Sequence, residues 1–208
     1  MMENEAIIKQ VREIKQSFRL LMNGVASHSM REKGLNYKLN WGISLVDLKE
    51  MAGQHVKNLD LAIALWKEDV RECKMLAILL MPHEAMPPEL AELWVEQLPS
   101  LELAEQASFH LFRHLKEASV LAYKWIALDD ELPQICGYNV LGGLFQQGRV
   151  PDERGVHEFF DQVGVVLRSG SIPLKHAAMN AVYRFADIDK DCERVAENMM
   201  KSMDVEIF

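Results

Sequence analysis

At 208 residues, with 49% hydrophobic and 26% charged side chains, the chain can bury a core without disulfides or metals and is too apolar for disorder. A formal net charge of −8 argues against a protein that is basic throughout, the usual mark of a dedicated nucleic-acid binder. Three scattered cysteines, Cys73, Cys136 and Cys192, argue against a disulfide framework and for a reducing, cytoplasmic setting.

No apolar run approaches the roughly 20 residues of a membrane span, and the opening MMENEAIIKQ lacks the basic-then-apolar order of a secretory signal. A soluble protein with no membrane partner is expected. The charge is unevenly spread. Residues 1–40 hold 7 basic and 4 acidic groups, a net +3.

Taken in order, residues 3–22 predict a helix whose apolar stripe is Ile7, Ile8, Val11, Ile14, Phe18 and Leu21. Lys9, Arg12, Lys15 and Arg19 follow a similar spacing on another of its faces. Asn23-Gly24 ends it, a short helix is expected from Val25 to Lys33, and Gly34 reads as its stop. The link LNYKLNWGIS places Tyr37 and Trp41 in a loop before Ser44 caps a helix over Leu45–His55. Asp60–Met81 reads as two helices back to back, the second apolar on nearly all sides and therefore packed from several directions.

Pro82 and Pro87-Pro88 close one helix and open the next at permitted first-turn positions. Further helices are predicted at Leu101–His114, Ala118–Leu128, Glu131–Gln147, Asp152–Arg168, Leu174–Ala186 and Lys190–Met203. Asp129, Asp130 and Asp152 stand where they would cap a helix. A train of helices with short turns, about 35–45 residues per pair, has the rhythm of HEAT or armadillo repeats. The expected fold is all-α, an alpha-alpha superhelix of HEAT-like helical repeats with one concave face. The whole chain, 1–208, is read as one domain, with 1–35 as an N-terminal helical cap and 36–208 as the repeat array. A compact bundle is the alternative.

Composition offers little chemistry. His110 and His114 stand one helical turn apart, but Leu111 occupies the position that needs Glu in a zinc protease, so no metal is expected there. Asp187, Asp189 and Asp191 mimic half a calcium loop, yet Cys192 and Asn198 stand where Gly and Glu are required. A polar turn capping the last helix is the expectation. Gly137, Gly142 and Gly143 match no phosphate loop and predict close helix contacts. Of the four tryptophans, Trp66, Trp94 and Trp125 fall on amphipathic helices and predict packing. Trp41, in its loop, is the candidate binding residue. No cofactor is implied.

Three segments carry a resemblance. Leu65, Trp66, Glu72, Leu76 and Ala77 form a pattern similar to the DNA alkylation-repair glycosylases of the AlkD type. Asn36–Ala52 resembles that family's entry loop, with an aromatic-Gly-apolar step before a helix. Ala177–Val195 is similar to its late segment. The resemblance implies a HEAT-like repeat fold and excision of cationic alkylpurines from double-stranded DNA without base flipping. It implies a carboxylate beside the developing sugar cation, bordered by two tryptophans and an arginine. Carried onto this chain, the first tryptophan falls on Leu101, the carboxylate on Glu105, the arginine near Cys136 and the late tryptophan on Ala181, with Arg184 retained.

Three functional readings follow. The first is a divergent family member that lacks the standard glycosylase site and binds DNA. The second is a scaffold for another protein, without nucleic-acid binding. The third is an alkylpurine glycosylase using Glu105 as the catalytic carboxylate.

Overall fold

The structure, a computed structural model, describes residues 2–35 and 37–203. Met1, Asn36 (the first residue of the expected repeat array) and residues 204–208 lie outside the described residues. Two compact units, Met1–Pro87 and Pro88–Phe208, are described separately.

The first unit begins with α1 (Met2–Leu21), α2 (Gly24–Glu32) and α3 (Leu45–Gly53), continuing through α4 (Leu59–Trp66) and α5 (Arg71–Leu80). Asn23 does more than end α1. Its side chain accepts from Ala26 N at 3.0 Å and so caps α2. Ser44 caps α3 by accepting from Asp47 N, and Asn58 caps α4 by accepting from Leu61 N. Gly34 follows α2 in the left-handed region, φ 87°, as a helix stop requires. Helix α1 packs on α4, α4 on α5, and α3 on α5. The central helix α5 buries Cys73, Met75, Leu76, Ala77, Ile78 and Leu80, as its all-round apolar sequence demands.

Helix α5 has no side-chain cap. Instead Arg71 N donates to Leu39 O and Leu39 N donates to Asp69 O, at 3.2 and 3.3 Å. This isolated parallel bridge between Leu39 and Val70 escaped the helical reading, since a single bridge leaves no period-two pattern.

The second unit holds α6 (Pro88–Glu96), α7 (Leu101–His110), α8 (Ala118–Ile126), α9 (Glu131–Phe145), α10 (Glu153–Ser169), α11 (Ile172–Ala186) and α12 (Lys190–Ser202). Helix α9 is its centre, packed by α7, α8 and α11 and buried from Pro133 to Phe145 on nearly every side. Gly137 explains part of that closeness. A Cβ there would lie 2.7 Å from Ile126 Cγ2 and 2.8 Å from Ala122 O, so α8 and α9 meet only because the side chain is absent. Helices α10 and α12 pack on α11. The described residues are therefore helical throughout apart from turns and that one bridge. This is the expected all-α architecture, with helix beginnings and ends close to those predicted.

One boundary differs. The helix expected over Leu101–His114 stops at His110, and a short 3-10 turn covers Phe112–His114. Leu111 leaves the helical region, at φ −130°. Successive residues on a continuous helix point about 100° apart. The break lets both Leu111 and Phe112 reach 0% exposure, with Phe112 edge-on to Trp125 at 5.0 Å. It also removes the one-turn relation between His110 and His114. Capping differs at two aspartates: Asp152 accepts from Gly155 N at 2.8 Å, while Asp130 occupies the cap position of α9 without a side-chain bond, and Asp129 caps nothing.

Candidate nucleic-acid interface

A cleft of about 420 Å³ opens along α7, α9 and α11 in the second unit. Helix α7 contributes Glu105, Gln106 and Phe109. The 3-10 turn contributes Arg113, so the break at Leu111 is what delivers a cation to this wall. Helix α9 supplies Tyr138, Asn139 and a glycine floor, and α11 supplies Asn180, Ala181 and Arg184.

The glycines set the placement of both arginines. A Cβ on Gly143 would stand 3.1 Å from Arg113 Cδ, and one on Gly142 would stand 3.4 Å from Ala181 Cα and 3.8 Å from Arg184 Cγ. The two guanidinium-bearing chains thus lie over bare backbone of α9. Arg113 stacks on Phe109, with Cζ 4.0 Å from the ring centroid, and its Nε donates to His114 Nε2 at 3.3 Å. Neither Arg113 nor Arg184 has a carboxylate partner among the described residues.

The carboxylate of the cleft is Glu105. Partial burial, and next the neighbouring Glu102 charge, push its carboxyl above the ordinary value. Two further groups lack partners. Tyr138 is fully buried and edge-on to Phe159, yet its hydroxyl has no hydrogen-bond partner, nor does Gln106 Oε1. An unsatisfied buried polar atom costs about 1–3 kcal/mol.

Of the residues singled out in the sequence, the cleft brings together Glu105, Ala181 and Arg184. Leu101 sits one turn before Glu105 on α7, 36% exposed, and does not line the cleft. Cys136 lies underneath, with 0% exposure. Its Sγ donates to Ala104 O at 3.3 Å, and Ser108 Oγ donates to Sγ at 3.1 Å. Burial pushes this thiol up to about 12, which makes it an inert packing group. Trp41 belongs to the first unit, where it is half-buried beside α1.

Sequence reasoning missed Arg113, Asn139 and the unpartnered Tyr138 hydroxyl. Arg113 was hidden because the reading ran one helix through it. The glycine pair opposite was the available signal, since glycines inside an apolar helix announce that something lies against them.

A family model described as DNA alkylation repair enzyme matches residues 14–149. No curated protein matches the chain significantly. A solved structure described as belonging to "a new family of proteins related to the HEAT-like repeat DNA glycosylases with affinity for branched DNA structures" superposes with a TM-score of 0.80. It is 18% identical, over 92% of this chain and 82% of that one, which shows a shared HEAT-like repeat fold. The family match runs from within α1 to just past α9, taking in Trp41, Glu105, Cys136 and the Arg113 wall of the cleft: the chain belongs to the DNA alkylation repair enzyme family.

Proposed function

We propose that the protein is a cytoplasmic DNA-binding member of this family that uses the α7–α9–α11 cleft to hold the sugar–phosphate backbone and does not excise alkylated bases. The observation that carries this reading is the pair of uncompensated guanidiniums, Arg113 and Arg184, held over the glycine floor of α9. Counted from the sequence, the second unit has 11 basic and 20 acidic groups, a net −9. Cations without carboxylate partners in so acidic a unit are a local feature suited to an anion. Asn139 and Asn180 add neutral donors, which fix register on phosphate and sugar without reading sequence.

Excision is disfavoured by the same geometry. The aromatic walls that the family resemblance implies are replaced by Leu101 and Ala181. The exposed ring in the cleft, Phe109, already carries a guanidinium on its face. The neighbour's stated affinity for branched DNA makes a branched substrate the first DNA to try.

The test is binding of the full chain to a four-way junction and to duplex DNA at low salt, alongside release of 7-methylguanine and 3-methyladenine from alkylated DNA. Salt-sensitive binding without base release is the expected result. Base release abolished by Glu105→Gln would instead establish a glycosylase. Absence of any DNA binding at low salt would leave the scaffold for another protein, the reading that the acidity of the second unit favours.

A further inference from the structure

The first unit carries a second groove, of about 410 Å³, between α1 and the loop that holds Trp41. That volume lies in the range of small-ligand sites, roughly 300–1,000 Å³. Its floor is apolar, from Ile8, Val11 and Leu39, and its rim is the basic face of α1. Lys15 is neutralised by Glu68 at 2.6 Å. Arg12 and Arg19 are exposed and have no ion pair among the described residues. Seven residues apart, they lie on one face with about 10.5 Å between them along the helix axis.

The loop is built to present Trp41. Its peptide is held on both sides: Trp41 N donates to Glu72 Oε2 at 3.1 Å, and Asn23 N donates to Trp41 O at 2.8 Å. Ile43 N donates to Glu72 Oε1 at 3.3 Å, and Arg71 Nη1 donates to both Glu72 Oε1 and Ile43 O. Gly42 between them has φ 69°, and a Cβ there would stand 2.2 Å from Asn23 O. Glu72 and Arg71 are 0% and 2% exposed. A buried ion pair of this kind contributes little net stability compared with apolar packing. Here it fixes one loop conformation, and that conformation leaves a tryptophan half-exposed over a groove rimmed by free cations.

We propose that this groove binds one unpaired nucleotide of a DNA strand, with its base stacked on Trp41 and its flanking phosphates on Arg12 and Arg19. An aromatic platform beside cations is the combination that single strands require, because every base has a π-face and every linkage a charge. An acidic peptide would satisfy the arginines but leave the ring and apolar floor unused. The proposal shares only its ligand class with the reading of the α7–α9–α11 cleft, from which it differs in unit and residues.

Tryptophan fluorescence of the full chain, titrated with a five-residue oligothymidylate, tests it. Trp66, Trp94 and Trp125 are at most 3% exposed, so a ligand in the groove is reported by Trp41. Saturable quenching is expected, abolished in Trp41→Phe. By fluorescence anisotropy of labelled oligonucleotide, Trp41→Ala should weaken binding roughly 5- to 150-fold, the range for loss of one stacked base. Trp41→Phe, which keeps a ring, should retain more affinity than the alanine variant. Arg12→Ala/Arg19→Ala should weaken the binding that Trp41 reports and flatten its salt dependence. Unaltered unfolding midpoints confirm that each variant is folded. Absent quenching, undiminished quenching in Arg12→Ala/Arg19→Ala, or equally tight binding of a pentaglutamate peptide would overturn the proposal. Oligonucleotide binding that survives in a protein without junction or duplex binding would support the groove and reject the cleft.

Discussion

Replacing Glu72 with Gln tests how the Trp41 loop is held. The substitution preserves volume, so no cavity forms and the effect is electrostatic. Glu72 accepts from Trp41 N, Ile43 N and Arg71 Nη1, with both charged side chains essentially out of solvent. Glutamine retains one acceptor oxygen, so either Trp41 N or Ile43 N loses its partner, and buried Arg71 loses the charge of Glu72. Breaking a buried pair from one side costs about 3–5 kcal/mol. That is a large part of the roughly 5–15 kcal/mol that holds a typical domain. Urea unfolding followed by tryptophan fluorescence should show the transition of the first unit moved to lower urea by that amount. A loss below about 1 kcal/mol, the scale of an exposed pair, would refute the claim that this ion pair organises the loop.

Three further outcomes follow from the cleft. Gly143→Leu should weaken DNA binding about as much as Arg113→Ala, since its Cβ begins 3.1 Å from Arg113 Cδ; binding isotherms of the two variants check this. Tyr138→Phe removes an unpartnered buried hydroxyl. It should raise the stability of the protein by up to about 1–3 kcal/mol in urea unfolding. Glu105 is held above the ordinary carboxyl value, so its protonated form favours folding. Its contribution is present at pH below the unfolded value and is lost as pH rises through the raised one. The stability of Glu105→Gln relative to the native protein should therefore grow with pH across that window. DNA binding by the native protein should strengthen as pH falls, with a flatter profile in Glu105→Gln, because neutralisation removes repulsion of phosphate.

The helices were legible because their signals are local. Cap residues such as Ser44, Asn58 and Asp189 mark beginnings, Gly34 marks an end, and apolar periodicity fills the spans between. Asp189, expected in a polar turn capping the last helix, caps α12 by accepting from Cys192 N. What stayed hidden depends on distant partners. Arg71 and Glu72 are a pair of opposite charges at the start of a helix, and nothing local shows that both are buried to fasten a loop some 30 residues away. Arg113 read as one charge on a continuous helix, although the burial of Leu111 and Phe112 breaks that helix and turns the arginine toward Gly143. Trp41 was singled out only because it falls in a loop while the other three tryptophans fall on amphipathic helices.

The reading of the cleft as a phosphate-binding surface is tested most directly by the salt dependence of four-way-junction binding, measured for the native chain and for Arg113→Ala/Arg184→Ala. Each guanidinium on a phosphate contributes about one unit to the slope of log affinity against log salt. The double variant should bind more weakly at every salt concentration, with a slope shallower by about two. Equal affinity and equal slope in the two proteins would contradict the account.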